Sequence, residues 1–169
     1  MLGVVAASGR GTGDALLRAV ATALQAQGLR LAGAVQHDTP GAPGQPAAMN
    51  LCLLPGMGLL RISQCLGPGA EGCRLDPDGL ERAVAAAQAA LAQGGADLVI
   101  VNKFGKHEAE GRGFRPLIAE ALAQGIPVLT AVAPEQAQAF ARFAEDLADP
   151  LPARMDALLD WCRNACAAR

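Results

Sequence analysis

The chain has 169 residues, is 51% hydrophobic and carries a formal net charge of −2. That length suits a single domain over residues 1–169 with a filled core, and the near-neutral charge excludes a nucleic-acid partner, which would need a basic face. No stretch approaches the roughly 18 apolar residues of a membrane span, and the N-terminal apolar run is too short for a signal peptide. We therefore expect a cytoplasmic protein without a membrane segment.

In chain order the sequence predicts strands that alternate with helices. Strands are expected at 2–7, 29–36, 96–102 and 126–132, a hairpin within 49–66, and helices at 14–27, 78–93, 114–124, 135–147 and 152–169. Asp76 is a predicted N-cap with Pro77 in the first helical turn, and the "GG" at 94–95 is expected to end that helix. The run "LVIV" is apolar on both faces, as in a central parallel strand. We predict a three-layer α/β fold: a mostly parallel sheet with helices on both faces, plus a β-hairpin.

Ligand sites of open α/β sheets lie beyond the carboxyl ends of the strands, where three polar segments are expected to meet: "SGRGTGD", "QHD" and "NKFGKHE". The first offers unusual backbone angles and a helix N-terminus, both suited to an anion. Its expected anion-binding residues are Gly9, Arg10, Gly11, Thr12, Gly13 and Asp14. A working phosphate loop, GxxxxGK[ST], needs a lysine and a hydroxyl, whereas Asp14 follows Gly13 here. The alternative is a tight strand-to-helix turn with Asp14 as the helix cap.

The third segment holds the only two lysines of the chain, Lys103 and Lys106, next to Glu108. Each lysine is a flexible point charge that suits a phosphate or another oxyanion. We expect Lys103 and Glu108 to act in any catalysis, with Glu108 as a base or as a partner of the lysines. Lys106 and Asn102 are expected to contact the anion, and the alternative is a solvated charged loop. No metal site is expected.

Two further residues, Gln36 and Arg74, are expected to line the edge of this site. Cys73 precedes Arg74, and an arginine beside a thiol can lower its pKa, although a small buried cysteine is the favoured interpretation. Cys162 and Cys166 lie one helical turn apart, and packing is favoured there over metal binding.

The chain resembles a bacterial family of domains of unknown function, number 2478, whose members occur near molybdenum-uptake and nitrogenase genes. The resemblance is carried by "LAGAVQ", "RISQCLGPGAEGCRLD", "DLVIVNKFGKHEAEGRGFRPLIAEAL" and "GIPVLTAV". It implies an association with molybdenum metabolism. It transfers no catalytic residues, because the family has no settled activity.

The second half is similar to a small nucleoside-triphosphatase family with the motif "DEIGKME", through "VIVNKFGKHE" and "FRPLIAEALAQGIPVLTAV". On this resemblance Asn102 replaces a metal-holding Asp and Lys103 replaces the Glu that follows it, whereas Gly105, Lys106 and Glu108 match. The resemblance implies a P-loop NTPase-like fold in which the residues that would hold the metal ion are altered.

These observations predict a degenerate P-loop-like protein that binds a nucleoside phosphate or an oxyanion such as molybdate. One alternative is an active nucleoside-triphosphatase that uses a lysine outside the P-loop. Another is a non-catalytic module that docks a transporter or a cofactor-maturation partner. A homodimer is a further possibility that the apolar composition allows.

Overall fold

The computed structural model describes residues 1–6, 11–56, 58–64 and 74–168. The strands are β1 (Leu2–Ala6), β2 (Leu31–Gln36), β3 (Asn50–Leu54), β4 (Leu59–Arg61), β5 (Leu98–Phe104), β6 (Val128–Val132) and β7 (Ala148–Leu151). The helices are α1 (Thr12–Ala26), α2 (Pro77–Ala92), α3 (Lys106–Ala109), α4 (Arg115–Ala123), α5 (Ala137–Ala144) and α6 (Met155–Ala167). Among the helices described, none is long and apolar enough to cross a bilayer.

The strands form one sheet in the order β4-β3-β2-β5-β6-β1-β7. All neighbouring pairs are parallel except β2 with β3 and β3 with β4, which are antiparallel. β3 and β4 are therefore the predicted hairpin, appended to an otherwise parallel sheet. This order, with β6 between β1 and β5, is consistent with the P-loop-like α/β fold that the sequence predicts.

Helices cover both faces of the sheet, which confirms the three-layer prediction. One face packs against α1 and α6 through residues such as Leu17, Leu24 and Leu158. The other packs against α2, α4 and α5. β5 contributes to the cores on both faces. Leu98 and Ile100 belong to the core under α1 and α6, Val99 and Val101 belong to the core on the other face, and all four are fully buried. A strand apolar on both sides needs cover on both sides, so the run "LVIV" predicted the layering correctly.

The ends of α2 confirm the predicted capping. Asp76 accepts a hydrogen bond from the Asp78 N–H at 3.1 Å, Pro77 is the first helical residue, and Gly94 and Gly95 both have positive φ after the last turn. Asp14 differs from the prediction, because α1 begins earlier, at Thr12, after Gly11 in the left-handed region (φ 79°). Asp14 therefore lies inside the first turn and is not the cap.

Three other elements also differ from the sequence prediction. β5 extends to Phe104 through a bulge against β6, which puts Lys103 inside the strand. The expected helix at 135–147 is shorter, because 3₁₀ turns (Pro134–Gln136 and Glu145–Leu147) flank α5. β7 was missed because its sequence, "ADPL", has no strand pattern; it pairs with β1 at the sheet edge, where Pro150 is tolerated.

The segment after β5 folds around the carboxylate of Glu108, which is 5% exposed. Its Oε2 accepts the Gly105 N–H and its Oε1 accepts the Phe114 N–H, both at 2.9 Å. Gly113, at φ +59°, passes so close that a Cβ there would collide with Oε1, so this turn requires glycine. A charged acceptor with two backbone donors thus holds residues 105–114 in one compact turn, the Glu108 turn.

We expect Glu108→Ala to lower the free energy of unfolding by about 2–4 kcal/mol, because two backbone N–H groups lose a charged acceptor. Glu108→Gln should cost less, since its amide keeps one oxygen for one of the two donors. Urea denaturation of the purified variants measures both changes.

Glu110→Ala is the matched control, two residues further along. Glu110 pairs with Arg112 and Lys106 on the surface, where ion pairs contribute little. Equal losses for the variants at Glu108 and Glu110 would contradict the structural role assigned to Glu108.

Candidate functional site

The polar site lies where the connections from two neighbouring strands diverge. β2 leads to β3 on one side, whereas β5 leads through α3 and α4 to β6 on the other. Divergent connections leave a crevice beyond the carboxyl ends of the strands, which is where open α/β sheets bind ligands. The first turn of α1 lies over this crevice, because Asp14 contacts the end of β5.

The carboxamide of Asn102 joins β2, β5 and α1. Its Oδ1 accepts the backbone N–H of Gln36 at 2.9 Å. Its Nδ2 donates to Asp14 Oδ1 at 2.8 Å and lies 3.3 Å from Gln36 Oε1. Gln36 Nε2 donates onward to Asp38 Oδ1 at 2.9 Å. Asn102 and Gln36 are 4% and 9% exposed, so these two amides are shielded from water, whereas Asp14 is half-buried and Asp38 is exposed.

The backbone N–H of Gln36 fixes which atoms donate and which accept in these hydrogen bonds. A backbone N–H can only donate, so the Asn102 atom facing Gln36 N must be the amide oxygen. Its NH₂ group then faces Asp14 and the Gln36 oxygen, and the Gln36 NH₂ faces Asp38. The network therefore has two amides in the middle and a carboxylate at each end. We call Asp14, Gln36, Asp38 and Asn102 the amide network.

Cationic and titratable residues adjoin the amide network along the chain. Arg18, one turn after Asp14 on α1, places its Nη1 3.4 Å from His37 Nδ1. Lys103 directly follows Asn102 and is exposed, with no ion-pair partner within 4.0 Å among the described residues. The crevice thus combines carboxylates with cations.

The other predicted residues of the charged segment are placed differently. Lys106 lies on the surface, 80% exposed, with its Nζ 3.9 Å from Glu110 Oε1. Both oxygens of Glu108 accept backbone N–H groups, and within the described chain neither lysine is within 4.0 Å of its carboxylate. The catalytic role of Glu108 stays a prediction, and its observed contacts are those of a structural residue.

Some of the remaining predicted site residues lie in the described part of the chain and others lie outside it. Arg74 donates through Nη2 to the Ala47 carbonyl at 2.6 Å and so holds the segment that follows β2. Gly11 and Gly13 belong to the start of α1, and of Thr12 only the backbone is described. Gly9, Arg10 and Cys73 lie outside the described residues.

The amide network does not fit the magnesium ion that a P-loop fold implies. The strand-end residue that would hold the metal is Asn102, whose amide oxygen is already bonded to Gln36 N and whose NH₂ group faces Asp14. Mg²⁺ needs oxygen ligands, and an amide NH₂ cannot supply one. In the described part of the chain no group of three or more His, Cys, Asp or Glu side chains is arranged to hold a metal ion.

Pockets lined by described residues lie at both ends of the sheet. One of about 670 Å³ lies at the amino edge between Arg30, Asp97 and Arg163, far from the amide network. Arg30 and Arg163 are engaged there by Asp97 and Asp160. Cys166, also in its lining, donates its thiol to the Asp97 carbonyl.

Cys162, one turn before Cys166, is fully buried in the α1–α6 core. Burial raises the pKa of its thiol to about 12. The thiol is therefore protonated at neutral pH, which fits packing and not metal binding.

The second pocket, of about 330 Å³, lies near the carboxyl edge on the α5 face of the sheet, opposite to the face that α1 covers. Its described lining residues are apolar: Val4, Ala6, Val132, Pro134, Ala137, Phe140, Pro150 and Leu151. Ala6 is the last residue of β1, and Val132 is its partner in β6. This apolar pocket therefore reaches the ends of β1 and β6.

Of the amide network, the sequence singled out Asp14, Gln36 and Asn102 but not Asp38, and it pointed to neither Arg18 nor the apolar pocket. Asp38 was visible in "QHD", directly after a predicted strand. Arg18 carried a weaker signal, its spacing of four residues from Asp14, which places both on one side of a helix. The apolar pocket had no local signal, because its lining comes from β1, β6, α5 and β7.

Comparisons with known proteins place the chain in a family. One relative is the molybdenum import ATP-binding protein ModC 2 of Bradyrhizobium diazoefficiens, 38% identical over 151 residues. That match covers 89% of this chain but spans only 17% of the relative's length. No solved structure gives a significant match. The model of the family described as "Protein of unknown function (DUF2478)" matches residues 2–161, and the chain therefore belongs to this family.

Proposed function

We propose that this chain binds a nucleoside phosphate or a tetrahedral oxyanion such as molybdate in the crevice between β2, β5 and α1. The observation that carries the proposal is the 2.8 Å hydrogen bond between Asn102 and Asp14. This contact means that the N-terminus of α1 and the end of β5 lie together at the carboxyl edge of the sheet. An anion site formed by residues of both segments requires such proximity.

The positive potential in this crevice has two sources. The first is the N-terminus of α1, a 15-residue helix whose first N–H groups lack partners within the helix. The second is Lys103, next to Asn102. Asp14 opposes an anion, but its carboxylate is engaged by the Asn102 NH₂ group and faces the helix dipole. We infer binding that needs no divalent metal, because Asn102 stands where a metal-holding carboxylate would be.

An association with molybdenum is supported by one relative, which is named a molybdenum import ATP-binding protein. Molybdate is a tetrahedral dianion, so backbone N–H groups and a lysine suit it as they suit a phosphate. A cytoplasmic location and a homodimer stay predictions.

A second candidate function is a non-catalytic module that docks a transporter or a maturation partner. The observation that favours it is the share of the relative that is matched: in that protein the similar segment is 17% of a longer chain. A domain that accompanies an ATP-binding protein need not bind nucleotide itself. This candidate predicts no stabilisation by any nucleotide or oxyanion.

We expect ATP, GTP, phosphate or molybdate to raise the melting temperature of the chain. A ligand at about a hundred times its Kd adds about 2.7 kcal/mol, or roughly 5–10 °C for a protein of this size. Lys103→Ala should weaken binding about tenfold or more, since it removes a charge-assisted contact. Thermal shift and titration calorimetry, each with and without EDTA, measure these effects.

Arg82→Ala serves as the control for Lys103→Ala. It removes one exposed cation from α2, where Arg82 lies 3.8 Å from Asp76, and should leave ligand binding unchanged. No shift with any of the four ligands would sink the proposal in favour of the docking module. Binding that disappears with EDTA would contradict the metal-free site.

The nucleoside-triphosphatase alternative makes a separate prediction. Magnesium-dependent phosphate release that is lost in Lys103→Ala would favour it. Because the amide network does not fit magnesium, we expect no release above the blank with ATP, GTP, CTP or UTP. A malachite-green assay on the wild-type protein measures this directly.

The amide network also predicts a pH-dependent variant. Asn102→Asp would put a second carboxylate oxygen close to Asp14, and we expect a loss of about 2–4 kcal/mol at pH 7–8. Like charges raise the folded-state pKa above the ordinary value of about 4, so this loss should shrink as the pH falls through that raised pKa. Urea denaturation at pH 5 and pH 8 tests the sign.

The charge-swapped double variant Asp14→Asn with Asn102→Asp is the matched control. It restores an amide donor facing a carboxylate, so at least half of the lost stability should return. No recovery in this double-mutant cycle would contradict the direct contact between the two side chains.

A further inference from the structure

We propose that Asp14 and Arg18 make the crevice selective for a tetrahedral oxyanion that carries a proton, such as hydrogen phosphate, over molybdate and sulfate. This inference rests on the proposed function and narrows it, because it names the class of anion that the crevice accepts. Arg18 binds the negative charge of the ligand, and Asp14 accepts a hydrogen bond from its O–H group.

The carboxylate of Asp14 has one engaged oxygen and one open oxygen. Its Oδ1 accepts the Asn102 NH₂ group at 2.8 Å. Asp14 is half-buried, and within the described part of the chain its Oδ2 has no hydrogen-bond partner. Every fully buried side-chain oxygen of the described residues has a partner, so Oδ2 is open to solvent. A carboxylate only accepts hydrogen bonds, and a group that binds at Oδ2 must therefore be a donor.

This open oxygen distinguishes oxyanions by the protons that they carry. Hydrogen phosphate keeps at least one O–H group at neutral pH, whereas molybdate and sulfate are fully deprotonated dianions. An O–H group makes a charge-assisted hydrogen bond with the carboxylate of Asp14. A bare oxyanion instead brings two negatively charged oxygens together, which is repulsive. Sites built to bind an O–H group strongly reject an analogue that lacks it.

Arg18 is a further cation that suits an anion at this place. It is half-buried on α1, and its Nη1 lies 3.4 Å from Nδ1 of His37, the residue directly after β2. Among the described residues, no carboxylate oxygen lies within 4.0 Å of its guanidinium. Charges that are partly removed from water are usually paired, and a guanidinium matches the geometry of an oxyanion. Arg18 therefore has an unused capacity to bind one.

The helix brings the donor and the acceptor to the same place. Asp14 and Arg18 are four residues apart on α1, so they lie on one side of the helix with Cβ atoms about 5–6 Å apart. Asp14 contacts the end of β5, Arg18 contacts the residue after β2, and these two strands are neighbours in the sheet. One small anion can therefore accept from Arg18 with one oxygen and donate to Asp14 with another.

A structural role for Asp14 is the competing explanation, because an acidic residue in the first turn stabilises a helix by itself. The two explanations differ in one observable. A structural Asp14 gives no preference among anions by proton content, whereas an Asp14 that accepts from the ligand does. Selectivity, and not stability, is therefore the quantity to measure.

The first test compares four tetrahedral anions on the wild-type protein by titration calorimetry at pH 7. Phosphate and sulfate form the smaller pair, arsenate and molybdate form the larger pair, and in each pair only the first carries a proton. We expect phosphate and arsenate to bind about tenfold more tightly or better than sulfate and molybdate. Grouping by size, or equal affinities for all four, would overturn the selectivity and leave the proposed anion site standing.

The second test replaces the acceptor. Asp14→Asn keeps an oxygen for the Asn102 NH₂ group and puts an NH₂ donor at the open position. Most of the preference for phosphate over sulfate should disappear, and sulfate and molybdate should bind more tightly than to the wild type. Asp78→Asn is the matched control, because Asp78 is an exposed carboxylate in the first turn of α2. A preference that survives in Asp14→Asn, or that falls equally in Asp78→Asn, would overturn the role of Asp14.

The third test removes the cation. Arg18→Ala should weaken phosphate about tenfold or more, because it removes a charge-assisted contact. Arg82→Ala, which removes an exposed cation from α2, should leave phosphate binding unchanged. Equal effects of the two variants would overturn the role of Arg18.

The outcomes separate this inference from the proposed function. If none of the four anions binds but ATP does, the selectivity falls and the proposed function survives. If the wild-type protein binds neither ATP nor any of the four anions, both fall.

Discussion

The carboxamide of Asn102 is the contact on which the geometry of the carboxyl edge depends. Through one side chain it holds the end of β2, the end of β5 and the first turn of α1. The direction of these bonds is set by a backbone donor that cannot reverse. This buried amide joins the three elements, and the carboxylates of Asp14 and Asp38 are the acceptors at the two ends of the network.

This arrangement underlies the proposal that the site binds an anion without a metal. Phosphoryl transfer depends on positioned cations and on a metal that neutralises charge as it develops. Here an acidic residue stands at the start of α1 and an amide stands at the end of β5. The helix N-terminus and the crevice are the features on which the proposed metal-free binding rests.

The charged segment after β5 separates into a structural part and an exposed part. Glu108 is bound to two backbone N–H groups and shapes the turn, and Lys106 pairs with Glu110 at the surface. Lys103 directly follows Asn102 in β5 and is exposed. The Phe104, Phe140 and Phe143 cluster then anchors α5 on the end of β5 and forms a wall of the neighbouring apolar pocket.

The sequence by itself determined the α/β class, the buried central strand, the caps of α2 and the loops that approach the carboxyl edge. Each of these follows from local periodicity or from residues close in the chain. Only the tertiary structure decided that Asn102 meets Asp14, 88 residues away, that Glu108 binds backbone, and that "ADPL" becomes a strand beside β1. Contacts between residues far apart in the chain depend on the order of the strands in the sheet. A local sequence pattern does not specify which distant strand will lie next to it.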